Sequence, residues 1–77
     1  MKYKVTVFLK ENVFDPQGNS ILRVLHNLGY NDVTNLRGGK VFFIETNGNS
    51  KELIDKIACE ILSNPVIEKY TIEELNG

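Results

Sequence analysis

Seventy-seven residues make a single domain, 1–77, whose small core closes with little stability to spare and calls for a staple or a partner. One cysteine, Cys59, excludes an intramolecular disulfide, and one histidine, His26, cannot complete a Cys/His metal set with it, so self-association is the expected supplement. Nine basic against ten acidic residues, a net charge of −1, offer no basic field to a nucleic-acid backbone.

The amino terminus, MKYKVTVFLKEN, sets Tyr3, Val5, Val7 and Leu9 against Lys2, Lys4, Thr6, Phe8 and Lys10, the period-2 pattern of a strand with one face on a core. It lacks the continuous apolar segment of a signal peptide. The longest aliphatic or aromatic run, Val41 to Ile44, is far too short to span a bilayer. A soluble, cytoplasmic protein with no membrane partner is expected.

In DPQG, Asp15 is a favoured N-cap and Pro16 suits the first helical position. The helix that follows is expected from Pro16 to about Leu28, with Ile21, Leu25 and Leu28 on one face, Leu22 and Val24 flanking it, and Gly29 as its left-handed terminator. Gln17 and Gly18 occupy its first turn, where stability alone would favour Glu or Ala.

NDVTNLRGGKVFFIETNGN reads as two strands around a tight turn at Gly38-Gly39. Val33 and Leu36 lie on opposite parities of the first, Asp32 to Arg37, which predicts a bulge or an edge. The second, Val41 to Thr46, is apolar on both faces and is expected at the centre of the sheet, covered twice. After a turn at Asn47-Gly48 and a cap at Ser50, a second helix shows Leu53, Ile54, Ile57, Ala58, Ile61 and Leu62 as one broad stripe, ended by Asn64-Pro65. VIEKYTI, Val66 to Ile72, is the last strand, and EELNG is expected to fray.

The order is β-α-β-β-α-β. In a chain of this length it predicts an α+β, ferredoxin-like sandwich, an antiparallel sheet with both helices on one face. Phe8 and one of the pair Phe42/Phe43 then point to the uncovered side, which predicts a homodimer or higher oligomer formed through that face.

No catalytic constellation emerges. His26 has no visible Asp, Ser or Cys partner to make it a general base, and nothing around Cys59 lowers its pKa toward a thiolate. Arg37 and Lys40 flank the two glycines of RGGK, yet the full phosphate loop GxxxxGK[ST] is missing. The glutamates are scattered and form no oxygen cage for a metal. A metallochaperone needs a C-x-x-C pair, and an RNA-recognition sheet needs stacking aromatics at alternate positions, whereas Phe42 and Phe43 are adjacent. A small amino-acid-binding regulatory module of ferredoxin-like fold remains open.

DPQG at 15–18 opening a helix, LGY at 28–30 closing it, R-x-G-K at 37–40 and NPVIEKY at 64–70 together resemble the PurS family over nearly the whole chain. This is the small subunit of bacterial and archaeal phosphoribosylformylglycinamidine (FGAM) synthase of purine biosynthesis. The resemblance implies a subunit without an active site or bound cofactor. It would bridge a glutaminase subunit to a large synthetase subunit that carries ATP and Mg, so that ammonia passes between them. Asp15, Pro16, Gln17, Gly18, Arg37 and Lys40 are then the expected surface for the larger subunits, Gln17 offering an amide donor and acceptor. The competing reading is that these residues only shape the monomer.

Overall fold

The structure, a computed structural model, describes residues 1–48 and 51–75. Its elements are β1 (Lys2–Leu9), α1 (Pro16–Asn27), β2 (Gly39–Glu45), α2 (Lys51–Ile57), a π-helical turn over Ala58–Leu62, and β3 (Glu68–Leu75). The sheet is antiparallel, three-stranded and ordered β2-β1-β3. The fold is α+β.

The alternation of β1 determines which side is core. Tyr3, Val5 and Val7 are at most 1% exposed and pack with Ile54 and Ala58 from α2 and the π-turn. Antiparallel register puts directly paired residues on the same face. Tyr3 opposes Ile44 and Val5 opposes Phe42 on β2, while Val5 opposes Ile72 and Val7 opposes Tyr70 on β3, so these neighbours extend the same apolar layer. Tyr70 also donates its hydroxyl to Asp55 Oδ1 at 2.7 Å. That bond joins β3 to α2 and, with partial burial, pushes the phenol up to about 12.

The strand expected over Asp32–Arg37 does not form: residues 33–38 run without strand pairing. Val33 and Leu36 are three residues apart and both half-buried, a spacing that no flat strand can bury on one side. Consequently β2 is an edge strand rather than a central one, and β1 is the centre. Nor is Gly38-Gly39 a tight turn of left-handed glycines; positive φ occurs at Gly29 (96°) and Gly48 (87°). Gly39 is small for another reason, since a Cβ there would lie 2.8 Å from the Val7 carbonyl oxygen.

Of the two adjacent phenylalanines, Phe42 joins the core and Phe43, opposite Lys4, points to the open side, where it is 71% exposed. The end of α1 follows its sequence. Tyr30 N–H donates to Leu25 O at 2.9 Å and Gly29 N–H to His26 O at 3.1 Å, the paired bonds of a Schellman ending that needs glycine at the left-handed position. Of the tail expected to fray, Glu73 to Leu75 are instead paired with Lys4, Tyr3 and Lys2 of β1. The expected Ser50 cap lies outside the described residues, as do Asn76 and Gly77.

Candidate functional site

The residues at the start of α1 and those before β2 meet at one end of the sheet. Asp15 is extended (φ −107°, ψ 97°) and caps the helix, its Oδ1 accepting from Gly18 N–H at 3.0 Å. Its second oxygen reaches 23 residues along the chain and accepts from Gly38 N–H at 2.8 Å. Pro16, next in line, has no N–H to leave unsatisfied. Asp15 as a residue is only 8% exposed. The Gly18 and Gly38 amides hold its pKa below the ordinary value, with the Arg37 charge adding to them, against the opposing pull of burial.

Gly18 has a specific reason to be glycine. A Cβ built on it would come 2.4 Å from the Leu36 carbonyl oxygen and 2.7 Å from Asp15 Oδ2. The bare first turn of α1 is therefore occupied by the chain itself. Arg37 completes the junction by donating from Nη2 to Lys10 O (2.9 Å) and Val13 O (2.7 Å), which pins the loop leading into Asp15. Three segments, 10–13, 15–18 and 36–39, are thus tied by hydrogen bonds at a single knot.

Two clefts flank the Gly38-Gly39 backbone. One, of about 150 Å³, is lined by Asp15, Gln17, Lys40 and Glu68 among others. The other, of about 430 Å³, lies toward the open face and is lined by Phe8, Glu11, Arg37 and Lys69 among others. Six residues were expected at one surface, and the structure brings them together in two roles. Asp15, Pro16, Gly18 and Arg37 build the knot, while the exposed Gln17 and Lys40 offer an amide and an ammonium at the first cleft. Sequence reading missed Glu68 on that cleft's rim, where its Oε1 accepts from Asn64 N–H at 2.7 Å; only the strand register announces it.

His26 donates from Nε2 to Val33 O at 2.7 Å, so its ring braces α1 against the returning segment. Among the described residues no three His, Cys, Asp or Glu side chains gather to hold a metal ion, and no helix is long and apolar enough to cross a membrane. What the two clefts present is hydrogen-bond donors and acceptors.

The PurS family profile, described as phosphoribosylformylglycinamidine (FGAM) synthase, matches residues 2–76. The chain belongs to the PurS family. The phosphoribosylformylglycinamidine synthase subunit PurS of Bacillus subtilis is 43% identical over 75 residues, which cover 94% of this chain and 89% of that relative. Among solved structures, the PurLQS structure of Thermotoga maritima contains a chain that matches with a TM-score of 0.83 at 37% identity, over 96% of this chain and 95% of that one. The PurS of Methanocaldococcus jannaschii, described as one of the subunits of formylglycinamide ribonucleotide amidotransferase in the purine biosynthetic pathway, matches with a TM-score of 0.81 at 32% identity, over 94% and 92%.

Proposed function

We propose that this chain is the PurS subunit of FGAM synthase in purine biosynthesis, and that it acts by holding a glutaminase subunit and an ATP-dependent synthetase subunit together so that ammonia passes from one to the other. The observation that carries this reading is the near full-length match to a chain of the PurLQS structure of Thermotoga maritima. In this reading the chemistry, with its ATP and Mg, belongs to the partner subunits. Such an enzyme works in the cytoplasm.

The mechanism follows from diffusion. Ammonia released into water is protonated and diluted, so its capture requires the two active sites to stay docked and the space between them to exclude bulk solvent. A rigid bridging subunit meets that need through its surface. Within this reading Gln17 and Lys40, exposed beside the first cleft, dock on a larger subunit, and the Asp15–Gly38 knot keeps them in place. The amino-acid-binding module left open by the sequence has no family support to set against this.

The test is glutamine-dependent FGAM formation by the large and glutaminase subunits with and without this chain, beside the same reaction driven by ammonium. Restoration of the glutamine reaction, with ammonium bypassing the requirement, is the expected result. A glutamine reaction indifferent to the chain overturns the proposal.

A further inference from the structure

An apolar side chain in water says little by itself; what distinguishes Phe14 is how it is mounted. It is 67% exposed and belongs to no helix or strand, lying between Leu9, the last residue of β1, and Pro16, the first of α1. It is part neither of α1 nor of the open sheet face from which self-association is expected.

The backbone on either side of the ring is fixed. Lys10 N–H donates to Ile67 O and Val13 N–H to Lys10 O, both at 2.9 Å, which closes residues 10–13 into a turn tied to the approach to β3. Arg37 clamps the same turn through the Lys10 and Val13 carbonyls. Immediately after Phe14, the carboxylate of the buried Asp15 accepts from Gly18 and Gly38. The ring takes part in none of these ties, so the loop keeps its shape without it. A phenyl group is thus held out in water by a loop that does not need it.

Such a ring is a knob that needs a socket. Two copies meeting about a two-fold axis would seat it only if the socket lay on the same patch, and its exposed chain neighbours Glu11, Asn12 and Gln17 form no apolar hollow. A socket elsewhere on a second copy makes a heterologous contact, which closes as a ring or runs on as a filament. A different chain fits better. Gln17, three residues on, is exposed at the same end of the molecule, so one approach meets both side chains.

We propose that Phe14 is the apolar anchor with which this chain docks on a larger subunit, its ring entering a hydrophobic pocket while Gln17 supplies hydrogen bonds at the rim. The inference rests on the bridging function proposed above. The pinned loop makes the anchor effective, because a group already held in place loses little freedom on binding.

The test titrates this chain into the large and glutaminase subunits and reads glutamine-dependent FGAM formation. Phe14→Ser should raise the half-saturating concentration on the order of tenfold or more and still reach the full rate at saturation. Its Tm, its sedimentation and the ammonium-driven rate should match those of the wild type. Phe14→Leu, which keeps an apolar plug, should fall between the two. Equal titration of Phe14→Ser and wild type overturns the anchor and leaves the bridging function standing. A wild-type chain that does not restore the glutamine reaction overturns the bridging function and the anchor with it. A Phe14→Ser chain that melts several degrees lower returns the ring to the fold, and one that sediments as a smaller species returns it to contact between copies; both refute the proposal.

Discussion

The body of the molecule and the arm that leaves it are held by different forces. In the body, Tyr3, Val5, Val7, Ile54 and Ala58 are buried to within 1%, and removal of apolar surface from water does the holding. In the arm, α1 and residues 30–38 bury only Gly18 fully, with Leu22, Leu25, Val33 and Leu36 half-covered. The arm is fastened instead by named hydrogen bonds, to Asp15 from Gly18 and Gly38, from Arg37 to the 10–13 loop, and from His26 to Val33. The contrast teaches that the arm's position depends on a few polar groups, whereas the body's depends on volume.

Substitutions that separate these two modes of attachment test the contrast, beginning with the most severe. Ile54→Ala opens a cavity in the body and should cost about 3 kcal/mol in urea unfolding, whatever becomes of the arm. Gly18→Ala forces a methyl against the Leu36 carbonyl and should cost about 2 kcal/mol. Its particular signature is accelerated hydrogen exchange at the Gly38 amide while the β1 amides stay protected. If β1 exchanges equally fast, arm and body are one cooperative unit and the contrast fails.

Asp15→Asn is milder and depends on pH. The folded carboxyl titrates below the ordinary aspartate value of 3.8, so the ionised form is the one that folding favours. Its stabilisation is complete above pH 3.8 and is lost as pH falls through the lower folded value. At pH 7 the variant should melt roughly 5 °C lower than the wild type, and the gap should narrow in acid below pH 3.8. A gap that is flat with pH would remove the carboxylate from the knot. Gln17→Ala should have the smallest effect on folding, within about 1 °C in Tm, and yet lower glutamine-dependent FGAM formation. A variant that melts early and remains active would place Gln17 in the fold instead of at a docking surface.

Much of this was legible from local rules. The parity of β1 identified the core face through Tyr3, Val5 and Val7, and Asp15-Pro16 with Gly29 marked α1 to within a residue, from Pro16 to Asn27. The segment before β2 was misread because its apolar residues, Val33 and Leu36, were counted against a strand template. Their spacing of three does not fit a strand with one buried face, and residues 33–38 run unpaired. That misreading moved β2 from the edge to the centre and made Gly38-Gly39 a turn.

By itself the sequence determined the identity and phase of the elements, since alternation, capping and helix termination act between residues at most about five apart. It also carried the family, through four motifs in register. Only the tertiary structure decided why Gly18 is glycine, what Arg37 holds, which phenylalanine faces outward and that α1 stands clear of the sheet. Those facts rest on contacts between residues 18 and 36, 15 and 38, and 10 and 37, on the pairing of β1 with β2, and on how little of α1 meets the strands. No periodicity reports such contacts, because they exist only when the chain has closed on itself.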